Sequence, residues 1–440
     1  MCFMRARARG KATVCGTVAV ALAVAAPVLG NRLGSGDLDP SFGNHGKVTS
    51  DFPGGQEAIH SIAIDAKGRI VAGGGQGRRS GYSWFELARY SRNTGRLDRS
   101  FAGAGYVKTK FGGFPSSIRS VAIDSRGRIV AAGARCGEFP DCAIALARYM
   151  PDGRQDRSFS HDGRVTTGFE QRAFANSLAI DSRRRIVVAG LAGADHPHFM
   201  LARYRPSGTL DPAFGSGGVA ATDFPDGPDW AEDVTIDSRG RIVAAGVSSL
   251  PSGGTAFALA RYRPNGHLDS SFGDAGQVKT AFPVGLYDGE GIAYAVAIDA
   301  QGRIVAAGGT TEAGGAFALA RYRRSGALDP SFGSGGRVLT PFGDRGSIAH
   351  SMAIDSRGRL VAVGNTYDPG ADRSEFALAR YRSDGGLDRS FSGNGKASSS
   401  LARHTSGADS VQIDMLERIV AAGGAGSKSR FALARYIGHR

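Results

Sequence analysis

The sequence contains little cysteine and tryptophan, and it lacks the apolar periodicity of helices. Four cysteines and two tryptophans occur in 440 residues. After residue 30 no segment keeps the spacing of apolar residues that an amphipathic helix requires, which argues against a helical fold. The motifs Gly-x-Ser-x-Gly and His-Glu-x-x-His and the phosphate-binding loop are absent. Nothing in the sequence therefore indicates a serine hydrolase, a zinc protease or a nucleotide-binding enzyme of the common types.

Glycine is abundant instead, and its regular spacing reveals a repeat. The 66 glycines accompany four phrases that each occur seven times, at intervals of about 58 residues. The phrases are Leu-Asp-x-Ser-Phe-Gly, Ala-Ile-Asp, Arg-Ile-Val-Ala-Ala-Gly and Leu-Ala-Arg-Tyr, each with small variations. Short β-branched runs separated by Ser-Arg-Gly turns indicate β-hairpins. We therefore predict four antiparallel strands per repeat.

Seven repeats of four strands predict an all-β, seven-bladed β-propeller. The strand Phe-Ala-Leu-Ala-Arg-Tyr alternates bulky and small side chains, so the large residues of one blade can fill the space over the alanines of the next. The seventh repeat stops at Tyr436 without its fourth strand. We expect residues 46–52 to supply that strand and to complete the blade formed by residues 410–436, which closes the ring and removes open sheet edges.

The N-terminal segment is typical of an export signal. Four basic residues between Arg5 and Lys11 precede an uncharged, Ala/Val-rich stretch, and small residues near Ala26 offer a cleavage site. The alternative is a retained membrane anchor. We expect residues 1–30 to be a signal peptide and residues 31–440 to be one propeller domain, secreted or attached to the cell envelope.

The cysteines divide between the signal and the domain. Cys2 and Cys15 lie in the signal, whereas Cys136 and Cys142 bracket a short loop in the domain. In an oxidising compartment the pair predicts a local disulfide.

The repeat resembles known propeller units. Its phrase Ala-Ile-Asp-Ser-Arg-Gly-Arg-Ile-Val-Ala-Ala-Gly is similar to the core of NHL-type propeller repeats. The whole unit, with Leu-Asp-x-Ser-Phe-Gly, looks like the bacterial delta-sixty β-propeller repeat family, over residues 38–436. The resemblance implies the propeller fold. Because that family has no established activity, the resemblance implies no function.

Residues present in every repeat are predicted to be scaffold, because one active site needs each catalytic group only once. The aspartate before Ser-Arg-Gly is expected to cap its turn. The aspartate of Leu-Asp-x-Ser-Phe is expected to pair with the arginine of Ala-Arg-Tyr, and the phenylalanine to fill core space. Function is expected where the copies differ, on the face that carries the variable loops. The alternative is that the sequences of these exposed loops vary without any functional reason.

The residue that precedes each predicted innermost strand gives the sharpest candidate site. Around the ring these residues are His60, Arg119, Asn176, Glu232, Tyr294, His350 and Asp409. We expect them to converge at the mouth of the central channel and to bind a ligand. Such a mixture of side chains could hold a divalent cation, as at a comparable place in the related-looking six-bladed lactonases of the gluconolactonase type. The alternative is that opposite sides of the channel are too far apart for one ion.

Two clusters of acidic and aromatic residues are further candidates in the variable loops. The first contains Asp229, Trp230 and Asp233, and the second contains Tyr287, Asp288 and Glu290. Carboxylates beside aromatic rings suit sugar or peptide binding, and they would allow an acid/base pair. The alternative interpretation is a set of solvated loops.

Together these features predict a non-catalytic binding or scaffolding propeller that acts outside the cytoplasm as a monomer. Its ligand would be a protein, a glycan or an anionic envelope polymer. The anionic polymer is favoured by a net charge of +14, much of which lies in the turns that are alike in every repeat. No interleaved aromatic residues indicate specific nucleic-acid binding. No cofactor is expected apart from the divalent cation considered above. The alternative function is a metal-dependent hydrolase or lyase, similar to a lactonase, at the channel mouth.

Overall fold

The chain folds into β-strands throughout the part that the structure describes. A computed structural model describes residues 33–53, 57–76, 84–137, 142–169, 172–193, 196–251, 253–282, 291–310, 315–368, 370–371 and 373–438. Within these ranges there are 28 strands and no helix, hence no helix of the length and apolarity that a membrane span requires. The predicted signal peptide lies outside the described residues.

Six blades follow one another along the chain, each from its innermost to its outermost strand. Blade 1 contains β2 (Glu57–Ile64), β3 (Ile70–Gln76), β4 (Phe85–Tyr90) and β5 (Tyr106–Thr109). Blade 2 contains β6 (Ser116–Ile123), β7 (Ile129–Cys136), β8 (Cys142–Tyr149) and β9 (Arg164–Thr167). Blade 3 contains β10 (Ala173–Ile180), β11 (Ile186–Ala192), β12 (His198–Tyr204) and β13 (Val219–Thr222). Blade 4 contains β14 (Asp229–Ile236), β15 (Ile242–Ser249), β16 (Thr255–Tyr262) and β17 (Gln277–Thr280). Blade 5 contains β18 (Gly291–Ile298), β19 (Ile304–Thr310), β20 (Ala316–Tyr322) and β21 (Arg337–Thr340). Blade 6 contains β22 (Gly346–Ile354), β23 (Leu360–Asp368), β24 (Arg373–Tyr381) and β25 (Lys396–Ser399).

Blade 7 joins the two ends of the domain. It contains β26 (Ser406–Ile413), β27 (Ile419–Ala425), β28 (Arg430–Tyr436) and, as its outermost strand, β1 (Lys47–Ser50). Lys47 pairs with Ala434 and Ser50 pairs with Phe431 in an antiparallel ladder. The innermost strands of neighbouring blades pack together all round, including β26 against β2. The seven-bladed propeller and its closing strand are thus confirmed, although the first strand of this blade begins four residues earlier than expected.

The core lies between the blades rather than in the centre of the ring. Between blades 3 and 4, Phe199 and Leu201 of one sheet pack against Ala244 and Ala258 of the next, and all four are buried. Equivalent clusters occupy the other interfaces. Bulky residues meet alanines here because the strand alternates the two along its length.

The repeated arginine of Ala-Arg-Tyr clamps each blade to the next one. In blade 4 the buried Arg261 donates from Nε to Asp269 Oδ2 at 2.9 Å and from Nη2 to Ser271 Oγ at 3.0 Å. Its guanidinium lies 4.6 Å from the ring centroid of Phe272. Its Nη1 donates to the carbonyl oxygen of Arg324 in blade 5. The same arginine–aspartate pair occurs in all seven blades.

The aspartate before each Ser-Arg-Gly turn completes this arrangement. Asp237 Oδ1 accepts the backbone N–H groups of Arg239 and Arg241 at 2.9 and 2.8 Å, and its Oδ2 pairs with Arg241 Nε at 2.7 Å. Arg241 Nη1 in turn lies 3.9 Å from Asp269 Oδ2. We call the seven sets of two aspartates and two arginines the base network. The expected turn cap and ion pair are both present.

A disulfide joins Cys136 and Cys142. The two residues are cross-strand partners at the end of β7 and the start of β8. The predicted local disulfide is therefore present, and it fastens the strand ends of blade 2.

Candidate functional site

Each innermost strand contains a one-residue β-bulge, and the extra residue is the predicted site residue. In β14, Ala231 pairs with Gly246 and Asp233 pairs with Ala245, so Glu232 has no partner of its own in β15. The same shift occurs in the six other innermost strands. The expectation that these residues precede the strand is wrong, because each lies inside it. A bulge turns the side chain of the unpaired residue away from the regular pleat.

The glycine of Arg-Ile-Val-Ala-Ala-Gly makes room for this bulge. A Cβ atom on Gly246 would lie 2.0 Å from the carbonyl oxygen of Trp230, which no side chain tolerates. The corresponding separations in the other blades are 1.8–1.9 Å, at Gly74, Gly133, Gly190, Gly308, Gly364 and Gly423. The repeated glycine is therefore a consequence of close backbone approach across the bulge.

The seven bulge residues surround one cavity of about 530 Å³ in the central channel. We call them the bulge ring: His60, Arg119, Asn176, Glu232, Tyr294, His350 and Asp409. The residues that follow them line the same cavity as a second ring: Ser61, Ser120, Ser177, Asp233, Ala295, Ser351 and Ser410. The structure thus gathers every predicted channel residue around a single space.

On one side of the cavity, contacts fix a carboxylate, a phenol and an imidazole. Trp230 Nε1 donates to Glu232 Oε1 at 2.7 Å, and burial raises the pKa of Glu232 above its usual value. Burial, together with the charge of Glu232, also raises the pKa of Tyr294. The Tyr294 and His350 ring centroids are 5.1 Å apart, and His350 Nε2 lies 2.8 Å from Asn365 Oδ1. These side chains are held in place before any ligand arrives.

The other side of the cavity carries most of the charge. His60 Nδ1 lies 3.5 Å from Asp409 Oδ2. Asn176 Nδ2 donates to the carbonyl oxygen of Ala231 at 2.9 Å, which leaves its own carbonyl oxygen available. Arg119 is exposed and forms no salt bridge within the described ranges. The ring therefore presents both donors and acceptors to the cavity.

The second ring links the blades by hydrogen bonds around the channel. Val121 N–H donates to Ser61 Oγ of the preceding blade at 3.1 Å, and Leu178 N–H donates to Ser120 Oγ at 3.2 Å. Two further bonds of the same kind join Val411 to Ser351 at 3.2 Å and Ile62 to Ser410 at 3.1 Å. The serines thus act as acceptors for N–H groups that face the channel, a role that sequence reasoning missed.

Asp233 takes the place of a serine in blade 4. Its carboxylate accepts Ser177 Oγ–H at 2.7 Å and the N–H groups of Val234 and Val296, both at 2.8 Å. Burial raises its pKa. These three hydrogen bonds satisfy the carboxylate within the protein, so Asp233 stabilises the ring.

The first acidic–aromatic cluster is not a loop, which corrects the expectation for Asp229, Trp230 and Asp233. All three lie in β14, because the strand begins at Asp229. Asp229 is buried and accepts the N–H groups of Phe199 at 2.8 Å and Phe224 at 2.9 Å, and burial raises its pKa to about 6. Trp230 contributes to the site through Glu232. The second cluster, Tyr287, Asp288 and Glu290, lies outside the described residues.

Blade 1 contains a buried charged cluster that the sequence analysis did not identify. Lys108 Nζ lies 2.9 Å from Glu57 Oε1 and 2.5 Å from Glu86 Oε1. Burial, reinforced by Glu57, raises the pKa of Glu86 to about 8. The sequence feature that could have indicated this cluster is Glu86, because the other residues of β4 before its final Arg-Tyr are apolar. None of the three residues lines the channel cavity.

The possible cation site has no compact set of ligands in the part of the chain that the structure describes. There, no three His, Cys, Asp or Glu side chains come close enough together to hold a metal ion. Within the bulge ring, His60 and Asp409 form the one close pair of such groups among the described side chains.

Comparison with known proteins agrees with the fold. A family model described as a domain of unknown function (DUF5122) beta-propeller matches residues 184–214, 240–272, 301–332 and 358–391, which supports a β-propeller repeat family. No curated protein matches the sequence.

Among solved structures, a catalytically inactive virginiamycin B lyase from Staphylococcus aureus with quinupristin is similar at 10% identity and a TM-score of 0.49, covering 88% of this chain and 98% of that one. An ulvan lyase bound to an oligosaccharide has 10% identity and a TM-score of 0.48, covering 92% and 95%. A protein of unknown function from Dyadobacter fermentans has 12% identity and a TM-score of 0.44, covering 90% and 98%.

Proposed function

We propose that the protein is a non-catalytic binding propeller whose channel cavity binds a saccharide. The observation that carries this proposal is the variation within the bulge ring. Its seven equivalent positions hold six residue types, whereas the glycine opposite each bulge is the same in every blade. Side chains that vary around one cavity, on a backbone that repeats, are what a recognition site on a repeated scaffold requires.

The chemistry of the ring suits a molecule rich in hydroxyl groups. A hydroxyl both donates and accepts hydrogen bonds, so its site needs partners of both kinds. Arg119 supplies donors, Glu232 and Asp409 supply acceptors, and the ring of Tyr294 supplies an apolar face. The volume of about 530 Å³ lies within the usual range of small-molecule pockets, about 300–1,000 Å³.

Calorimetric titration of the purified protein tests the proposal. The probes are glucose, glucuronate and N-acetylglucosamine. We expect at least one to bind, and we expect Arg119→Ala and Glu232→Ala to weaken its binding by about tenfold or more. The control is Arg357→Ala, which removes an exposed arginine from the turn between β22 and β23. Absence of binding by all three probes, or equal losses in all three variants, would contradict the proposal.

A hydrolase or lyase is the second candidate, and one observation favours it. Glu232, with its raised pKa, lies on the same side of the cavity as Tyr294 and His350. A raised pKa makes a carboxyl group better suited to donate a proton, as a general acid must. Product analysis after incubation of oligosaccharides with the protein, with and without Ca²⁺ or Zn²⁺, tests this function. Turnover that Glu232→Gln abolishes would favour the enzyme over the binding module.

We further propose that the protein works outside the cytoplasm and that its repeats are of the delta-sixty type. The disulfide between Cys136 and Cys142 is compatible with an oxidising compartment. Mass analysis of the protein from a secreting culture tests export. Loss of about 30 residues from the N-terminus is the expected result.

A further inference from the structure

One N–H group in each innermost strand donates to a side chain of the second ring, and blade 6 is the exception. Residues along an antiparallel strand direct their N–H groups alternately to the paired strand and away from it. The N–H two residues after each bulge residue therefore faces the channel rather than the neighbouring strand of its own sheet. In six blades this N–H has a side-chain acceptor. For Ile62, Val121, Leu178, Val296 and Val411 it is the second-ring residue of the preceding blade, whereas Val234 donates to Asp233 of its own strand.

The exception is Met352 in blade 6. The second-ring residue of the preceding blade is here Ala295, whose side chain has no acceptor atom, and Ser351 of the same strand already accepts the N–H of Val411. Ala295 lines the cavity. The register of β22 is the same as elsewhere, with Ser351 opposite Val363 and Met352 opposite Ala362, so the N–H of Met352 has the same orientation as its six counterparts.

The surroundings of Met352 also differ from those of its counterparts. The six equivalent residues are all buried, with exposures of 6% or less, whereas Met352 is partly exposed. The residue two positions earlier is His350, and Ala295 directly follows Tyr294. The second-ring position without a side-chain acceptor is thus next in sequence to one of two rings, Tyr294 and His350, whose centroids are 5.1 Å apart.

We propose that the Met352 N–H is a binding subsite for an acceptor oxygen of the ligand, a carbonyl or carboxylate carried by a sugar. The inference rests on the proposed saccharide-binding function. An N–H that faces a cavity without a protein acceptor is satisfied by an oxygen that enters the cavity. Tyr294 and His350 then flank that oxygen and orient the sugar toward blades 5 and 6. This subsite separates sugars with an acetamido or carboxylate group from those with hydroxyls alone.

The substitution Ala295→Ser tests this subsite, because it supplies a side-chain acceptor at that position of the second ring. The new hydroxyl accepts the Met352 N–H, as Ser61 does for Val121, and so competes with the ligand. We expect the affinity for N-acetylglucosamine or glucuronate to fall by about tenfold, a loss of about 1.4 kcal/mol. The affinity for glucose should stay within twofold, and the melting temperature should not decrease. Whichever of the first two sugars responds identifies the carbonyl or the carboxylate as the group bound.

The matched control is Ala300→Ser, the same chemical change in an exposed turn of the same blade. It should leave all three affinities unchanged. Equal affinities in Ala295→Ser and the wild type would overturn the subsite while leaving the proposed function intact. Failure of the wild type to bind any of the three sugars would remove the proposed function, and the subsite with it.

Hydrogen–deuterium exchange gives a second measurement that needs no variant. The peptide containing Met352 should exchange more slowly in the presence of the sugar that binds, and the corresponding peptide of blade 7, containing Val411, should not change. Equal protection of both peptides, or of neither, argues against the subsite even if Ala295→Ser does not fold.

Discussion

The base network and the bulge ring lie on the same seven repeats but differ in what varies. In the base network every blade has the same two aspartates and two arginines, and their charges pair within the protein. In the bulge ring each blade offers a different side chain, apart from the two histidines. Because the bulge residue has no partner in its own sheet, its identity is not needed for pairing. The difference separates residues that hold the ring together from residues whose identity the fold does not prescribe.

The carboxyl groups of the two regions also differ electrostatically. Burial opposes ionisation of Asp269, yet the hydrogen bonds from Ser271 and the charge of Arg261 lower its pKa. Burial of Glu232 raises its pKa, and the Trp230 hydrogen bond and the charge of Arg119 offset this only in part. The surroundings of Asp269 therefore favour its ionised form, whereas the surroundings of Glu232 oppose ionisation.

The largest expected difference between the base network and the bulge ring comes from removing one arginine from each. Arg261→Leu leaves Asp269 buried without its main partner, so we expect a loss of about 3–5 kcal/mol in the free energy of unfolding. Arg119→Leu should change that free energy by no more than about 0.5 kcal/mol. Urea denaturation measures both. Similar losses in the two variants would mean that the bulge ring is structural as well.

The second test concerns the glycine that permits the bulge. Gly246→Ala places a methyl group against the carbonyl oxygen of Trp230, and we expect it to lower the free energy of unfolding by about 1–3 kcal/mol. Gly113→Ala is the control, because a Cβ there meets no atom within 4 Å. Thermal denaturation compares them. Equal melting temperatures would show that the bulge can shift without cost.

The smallest expected effect is the pH dependence of Glu232→Gln. A raised pKa in the folded state means that this carboxyl contributes stability below its unfolded pKa and loses it as the pH rises through the folded value. The variant should therefore match the wild type near pH 4 and exceed it at pH 8, by on the order of 0.5–1 kcal/mol. Denaturation at both pH values, with the exposed Asp274→Asn as control, measures the difference. A variant that is less stable at pH 8 would contradict the raised pKa.

Much of the fold was predictable, because the repeat prescribes it. Seven copies of the same strand phrases determine the blades, and the missing fourth strand of the last copy points to residues 46–52. The disulfide followed from two cysteines in one short loop. These inferences need only the order of residues along the chain and the geometry of a closed sheet.

The sequence predicted that seven residues converge in the channel, and they do line one cavity, but their local structure was not predicted. The bulge was missed because it depends on cross-strand register, although the invariant glycine of Arg-Ile-Val-Ala-Ala-Gly was its signal. The second ring was also missed, even though serine follows the bulge in five copies and only Asp233 and Ala295 depart from it. The contact of Trp230 with Glu232 required coordinates, since sequence spacing alone does not say which way a side chain turns.

The closing strand has a consequence for synthesis of the protein. A ribosome makes β1 first, but its pairing partner β28 follows only after blades 1 to 6 have been translated. Those six blades can assemble as they emerge, each on its predecessor. The seventh requires residues that are separated by almost the whole domain, so the ring closes last, and until then blades 1 and 6 each present an uncovered apolar face to the cell.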